Sequence, residues 1–444
     1  MRKIDKIFNP SSIAIIGASD EEGSVGFGLV KNVLIGKKER KIYLVNPFKE
    51  EIEGIKCYKK IEDIKSKVDL ALIAVPAGIV IDIAKECCNK KVNGIVVISS
   101  GFSETGEEGL KRENELKKIV KDAQIPLIGP NCLGIINPSN NLNASFSPVT
   151  PNKGNIAFLS QSGALLDSVM ERSFDEGIGF SKVVSYGNEA DINLCDFLEY
   201  LETDVETNAI AIYLEGIKEG RRFFDIANKI GKPIVIIKSG RSEAGKSAAL
   251  SHTGSLAGDY EIFKAAMNQC KVTVVETISQ LIDVAEALSW QKRCEDGIAV
   301  LTNGGGLGVL TMDYFEELGV ALVKPNTETI KRMEKIAQVG HASVLDLLGD
   351  ALSDRYALGL ELLLKQSDVN GVIVIETPQI MTEHDKNAKI IVDLHKKYPT
   401  KPIICCFVGG KTSKNAIEYL ENNKIPNYSD TRRAVKAMRA LIKK

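Results

Sequence analysis

One imidazole, His252, stands inside a stretch of small residues, KSGRSEAGKSAALSHTGSLAG at 238–258, together with Gly240, Gly245, Gly254 and Gly258. An apolar run at 233–237 precedes it, and a helix-like segment begins near Asp259. A loop of this length between regular elements is uncommon in a compact domain and is usually a lid, a functional loop or disorder. Imidazole is nucleophilic through one ring nitrogen near neutral pH, and a carboxylate can orient the other. Small, flexible neighbours suit a group that must move. An exposed loop histidine with no task is the plain alternative. His384 and His395 lie in polar helical patterns and read as surface residues.

Glycine-cornered turns are the other candidates for chemistry. Short Ile/Val-rich runs at 12–16, 41–46, 70–75, 94–99 and 126–128 alternate with helical patterns, as expected of βαβ units with a parallel sheet. Ligands of such sheets bind beyond the carboxyl ends of the strands. Those ends read Gly17-Ala18-Ser19, Asn46-Pro47, Val75-Pro76-Ala77, Ser99-Ser100-Gly101 and Gly129-Pro130-Asn131. They suggest a trough for a phosphate-bearing ligand held by backbone N–H groups. The first turn does not fit G-x-G-x-x-G, and Asn46 stands where a nicotinamide-binding unit offers an acid to a ribose. Both departures speak against NAD.

The Asn-, Ser- and Pro-rich stretch 137–153 reads as a linker. A second α/β unit follows, with strands at 155–159, 180–185, 209–214 and 234–237 and a Ser160-Gln161-Ser162-Gly163 corner that resembles an anion site. Glu215 ends the 209–214 strand, with a helix-capping or surface carboxylate as the plain alternative to a functional one. Gly-x-Ser-x-Gly is absent, which makes a hydrolase a weak reading. A third unit begins after the helical stretch 278–292, with Asn303-Gly304-Gly305-Gly306 after one strand and Val408-Gly409-Gly410 after another. Neither corner has Walker A spacing.

The composition narrows the function. With 57 basic and 58 acidic residues, net −1, nothing recommends nucleic acid or an anionic membrane as partner. No apolar run is long enough to span a bilayer, and no signal segment is visible. Nine scattered cysteines, with no C-x-x-C and no metal-ligand spacing, fit a reducing cytoplasm and suggest no metal site. At 444 residues, several domains are expected.

Taken together, GASDEEGSVGFG, LVNP, VPA, ISSGFSETG, IGPNCLGIINP, LSQSGAL, SYGNEADIN, YLEGI, SHTGSLAG, LTNGGGLGVLTMD and CFVGG resemble the α subunit of ADP-forming acyl-CoA synthetases, relatives of succinyl-CoA synthetase. The resemblance spans essentially the whole chain. It implies three doubly wound α/β domains: a Rossmann-like CoA-binding domain at 1–136, then, past the linker, two flavodoxin-like ligase domains at 154–292 and 297–444. It implies that acyl-CoA, ADP and phosphate give carboxylate, ATP and CoA, through an acyl phosphate and a phosphohistidine at His252 oriented by Glu215. CoA would contact Gly17, Ala18, Ser19, Val45, Asn46, Pro47, Val75, Pro76, Ser100, Gly101, Phe102 and Asn131. Phosphate and the acyl group would meet Gln161, Ser162, Gly163, Asn188, Asn303, Gly305, Gly306 and Gly409. A separate ATP-grasp β subunit, in an α2β2 assembly, would hold ADP or ATP with Mg2+, because no such module is recognisable in this chain. A different acyl substrate, as in succinyl-CoA synthetase, and a non-catalytic CoA-binding regulator are the alternatives. The family often has Asn-Pro before the aspartate where this chain reads His341-Ala342-Ser343-Val344-Leu345-Asp346.

Overall fold

The Ile/Val-rich runs form buried strands, as expected where helices cover both faces of a parallel sheet. In the computed structural model, residues 4–247, 259–340 and 343–443 are described. Their contacts divide the chain into two units, Met1–Glu276 and Thr277–Lys444.

The first unit holds two sheets, each of seven strands among the described residues. Strands β1 Ser12–Ile16, β2 Lys41–Val45, β3 Glu51–Ile52, β4 Ile55–Tyr58, β5 Leu70–Ile73, β6 Gly94–Val97 and β7 Leu127–Ile128 run in the order β3-β4-β2-β1-β5-β6-β7. Strands β8 Gly134–Asn137, β9 Leu142–Ser145, β10 Lys153–Ser160, β11 Phe180–Ser185, β12 Ala209–Leu214, β13 Ile234–Lys238 and β14 Thr273–Val275 run β14-β13-β12-β10-β11-β8-β9. Five of these, β10 to β14, pair in parallel. The order reverses beside β1 in the first sheet and beside β10 in the second. Such switch points open a crevice for ligands at the carboxyl edge.

Part of the stretch expected to be a linker, 137–153, belongs to the second sheet. Strands β8 and β9 form an antiparallel hairpin that joins β11. Its polar residues are buried but satisfy one another: Ser145 Oγ donates to Asn143 Oδ1 at 2.6 Å, and Asn143 Nδ2 to Thr150 Oγ1 at 2.7 Å. Composition suggested a loop because it does not show which polar groups meet. From the first sheet's helix Val25–Leu34, Asn32 Nδ2 donates to Ser145 O at 2.8 Å and Ser147 O at 2.7 Å. One hydrophobic core then runs through both sheets, from Leu44 and Leu72 to Ile135, Leu142, Ala157 and Tyr186.

The second unit carries β15 Ile298–Thr302, β16 Leu345–Asp346, β17 Gly371–Glu376 and β18 Ile403–Phe407, a parallel sheet ordered β16-β15-β17-β18. Helix Ile278–Trp290, expected to close the second domain at 292, belongs to this unit. Asp283 on it accepts a two-pronged pair from Arg433, at 2.8 and 2.7 Å, and its carbonyl accepts from Tyr428 at 2.7 Å. Such planar pairing is stronger than a single hydrogen bond and fixes orientation.

Gly17 shows how closely the first switch point is packed. Its φ is +93°, and a Cβ there would sit 2.2 Å from the carbonyl oxygen of Ala74 on β5's trailing residue. Gly54 also has a positive φ, +73°, but opens into free space. Gly17→Ala should therefore cost about 2 kcal/mol or more in urea unfolding, and Gly54→Ala only about 1 kcal/mol.

Candidate functional site

At the first sheet's carboxyl edge, the residues expected to hold a ligand divide into two groups. Gly17 N–H donates to Val45 O at 3.1 Å, and Asn46 Nδ2 donates to Ala18 O at 2.8 Å. Val45 and Ala18 are buried, so Asn46 braces the turn that exposes Ser19 and Pro47. Val75, Pro76, Ser100 and Asn131 line one pocket of about 590 Å³. Gly163, at the start of helix Gly163–Asp175 on the second sheet, lines it too.

Gly101 and Phe102 do not belong with them. Glu104 Oε1 accepts from both their N–H groups, at 2.5 and 3.1 Å, and the carbonyl of Gly101 accepts from Arg112. The ring of Phe102 is wholly buried in the core and its carbonyl accepts from Thr105. The N–H groups of both residues are taken up within their own loop.

Asn188, expected at the acyl group, is tied into the structure as well. Its Nδ2 faces Glu104 Oε2 at 2.6 Å and Glu113 Oε2 at 2.9 Å, and its Oδ1 accepts from Asn131 Nδ2 at 3.3 Å. Burial works to raise the Glu104 carboxyl, but the hydrogen bonds from Asn188, Gly101 and Phe102 hold it below its ordinary pKa. Asn188 thus joins the loop after β11 to the loop after β6.

At the second sheet's switch point the central group is Glu215, only 5% exposed. Gln161 Oε1 accepts from Glu215 N–H and, at 3.1 Å, from Gly216 N–H, while its Nε2 donates to Gly216 O at 3.2 Å. Gln161 Oε1 takes both N–H groups and one N–H of its Nε2 is engaged, so Gln161 positions Glu215. Lys238 Nζ donates to Glu215 O at 2.7 Å and Ser239 O at 2.8 Å. Burial lowers the Lys238 pKa, with Glu215 opposing. Among the described residues, Glu215 Oε2 is buried without a hydrogen-bond partner. Ser162 Oγ caps helix Gly163–Asp175 by accepting from Leu165 N–H at 3.4 Å. A pocket of about 570 Å³ lined by Tyr213, Lys238, Ser239, Arg241 and Tyr260 opens at the base of the histidine stretch. His252 itself lies outside the described residues.

In the second unit, Asn303, Gly305, Gly306 and Gly409 all lie at the carboxyl edge of the sheet. Gly305 and Gly306 are exposed at the start of helix Gly305–Leu318, and Gly409 is exposed with φ +146°. Asn303 is 2% exposed and fully engaged: its Oδ1 accepts from Thr377 N–H at 2.8 Å, and its Nδ2 donates to Gln379 Oε1 at 2.8 Å. It shapes the corner and has no free valence for a substrate.

Sequence reading missed a buried dyad here. His384 Nδ1 lies 2.5 Å from Glu376 Oε1, and Asn387 Nδ2 donates to Glu376 Oε2 at 2.6 Å. The His384 side chain is 12% exposed, so it is no surface residue; helical polarity hid its contact with the end of β17. Desolvation raises the Glu376 carboxyl, and His384 and Asn387 oppose that. Glu189 was missed likewise. Burial pushes its carboxyl up to about 7, against the pull of Lys218.

Among the described residues no cluster of three or more His, Cys, Asp or Glu could hold a metal ion, and no helix is long and apolar enough to cross a membrane.

Comparison with known proteins bears on what this edge binds. Residues 11–138 match a CoA binding domain family, and residues 153–288 match the succinyl-CoA ligase like flavodoxin domain. The chain is 40% identical to subunit alpha of acetate–CoA ligase [ADP-forming] II of Pyrococcus furiosus, over 99% of this chain and 97% of that one. It is 42% identical to acetate–CoA ligase [ADP-forming] I of Archaeoglobus fulgidus, but spans only 63% of that protein's length. The solved dinucleotide forming acetyl-coenzyme A synthetase 1 of Ca. Korarchaeum cryptofilum, in complex with phosphate and ADP, superposes with a TM-score of 0.93 at 38% identity, covering 99% of this chain and 96% of that one.

The raised Glu189 carboxyl has a measurable consequence. Folded and unfolded states are both protonated below about pH 4.5, so there the group costs nothing. As pH rises to about 7, only the unfolded state ionises freely, and stability falls. The stability of Glu189→Gln relative to wild type, measured by urea unfolding, should therefore rise by about 3 kcal/mol between pH 4.5 and pH 8.

Proposed function

The chain belongs to the family of ADP-forming acetate–CoA ligase alpha subunits, and on that premise we propose that it handles acyl and phosphoryl transfer to and from CoA. The net reaction is acyl-CoA + ADP + phosphate ⇌ carboxylate + ATP + CoA, and acetyl is the acyl group in the names of several relatives. Phosphate displaces the CoA thiolate from the thioester to give an acyl phosphate. An imidazole nitrogen of His252 then takes the phosphoryl group and releases the carboxylate. ADP takes it last.

The observation that supports this reading is Glu215. A buried carboxylate with one unpartnered oxygen is costly unless something completes it. Glu215 sits at a switch-point edge, beside the start of the stretch that bears the family-matched histidine. Its role is to orient the imidazole and balance its charge when the phosphoryl group arrives or leaves. Gln161 and Lys238 hold Glu215 through its main chain. The start of helix Gly163–Asp175, with Ser162 and Gly163, offers N–H groups to the acyl phosphate. Gly305, Gly306 and Gly409 form a second phosphate-binding edge. Ser19, Pro47, Val75, Pro76, Ser100 and Asn131 are the CoA contacts in this reading.

The nucleotide, with its Mg2+, would be held by a separate ATP-grasp β subunit, and we propose an α2β2 assembly. The Pyrococcus furiosus relatives, which this chain matches over nearly their full length, carry the designation subunit alpha. The nine free cysteines suit the cytoplasm.

Labelling tests the central step. With a β subunit and γ-labelled ATP, the wild-type chain should acquire an acid-labile, base-stable label. His252→Ala should acquire none, and Glu215→Gln should be labelled roughly 100-fold more slowly. Equal labelling of His252→Ala would rule the phosphohistidine out.

A further inference from the structure

The pocket of about 590 Å³ at the first sheet's edge contains one charged side chain among its described lining residues, Asp167. Asp167 is on helix Gly163–Asp175, four residues after Gly163 and three after Ala164, so all three share one helical face. All three line the pocket. Its Oδ1 is closed off from solvent and has no hydrogen-bond partner among the described residues. A hydrogen bond from Ser147, in the loop after β9, reaches the same carboxyl group. Burial still raises its pKa, Ser147 opposes the rise, and Glu171, one turn along, adds to it. A carboxyl oxygen left unpaired in this way costs about 1–3 kcal/mol, or more when charged. Helix geometry does not require it, because Ser147 alone would hold the side chain. Nothing in the acyl and phosphoryl steps above uses it.

The reaction proposed above brings three kinds of group to this edge. The carboxylate and the acyl phosphate are anions and would be repelled by a carboxylate. Only the pantetheine arm of CoA is uncharged and rich in donors, with two amide N–H groups. The rest of the pocket suits such an arm: Val75, Pro76 and Phe146 can pack its methyl and methylene groups, and Ser99, Ser100 and Asn131 can meet its carbonyls. We propose that Asp167 accepts a hydrogen bond from an amide N–H of the pantetheine arm and so sets affinity for the thiol end of CoA. The carboxylate gains the donor it lacks, and the arm is held against the start of the helix where the acyl phosphate would be attacked. This inference rests on the CoA-binding reading.

Calorimetry on the full chain separates the two ends of the substrate. CoA is the whole ligand, and adenosine 3′,5′-bisphosphate represents its nucleotide end alone. Asp167→Ala should weaken CoA binding about 10–100-fold, the range for a hydrogen bond to a charged acceptor, while the bisphosphate binds within about twofold of wild type. Asp167→Asn, which keeps an Oδ1 acceptor, should fall between wild type and Asp167→Ala for CoA. Retained bisphosphate binding also shows that the variants are folded. Wild-type affinity for CoA in Asp167→Ala, or equal losses for CoA and bisphosphate in both variants, would overturn the assignment. A wild-type chain that bound neither ligand would instead overturn the CoA reading itself.

Discussion

Everything at the second sheet's edge depends on keeping one carboxylate, Glu215, buried and aimed. Burying a charge is tolerated only when neighbouring groups compensate it. Here the compensation acts mainly on the main chain. Gln161, after β10, clamps the N–H groups of residues 215 and 216, and Lys238, at the end of β13, holds the carbonyl of 215. Three adjacent strands thereby fix one residue through its main chain, and Tyr213 adds a hydrogen bond to its side chain. Among the described residues Glu215 Oε2 has no hydrogen-bond partner. The clamp gives a glutamine expected to touch substrate a bracing task, and explains why Lys238 is nearly as buried as the strand it ends.

The same economy appears where the first two sheets meet. Asn188 and Asn131 link their loops, with Glu104 and Glu113 as acceptors. Strand β9 of the hairpin sits against helix Val25–Leu34. The pocket that would receive CoA is therefore built by both sheets, with Ser99 and Asn131 from one and Gly163 and Asp167 from the other. Because the two halves share a core, the helix start that would stabilise an acyl phosphate is held against the edge that would hold the thiol. Catalysis by positioning needs such rigid supports, since misplacement of about 1 Å is costly.

The second unit repeats the design with different residues. Its switch point between β15 and β17 exposes Gly305 and Gly306, while Asn303, Thr377 and Gln379 brace the turn. Beside it, Glu376 is buried against His384 and Asn387. In each sheet the exposed groups are backbone N–H groups and small residues, and the amide side chains nearby serve as braces.

The sequence alone determined most of the parallel strands and the glycine corners, because apolar runs and turn residues follow local rules of period and backbone freedom. The family resemblance pointed to Glu215 and the His252 stretch as places for chemistry. Tertiary structure decided which polar groups are free. Gln161, Asn188, Asn303 and Phe102 looked available from their motifs, yet each is engaged or buried by partners 2 to 84 positions away. The hairpin in 137–153, the dyad of His384 and Glu376, and the unpaired oxygen of Asp167 were hidden for the same reason. Burial and hydrogen-bond satisfaction depend on contacts between distant residues, and local composition carries no record of them.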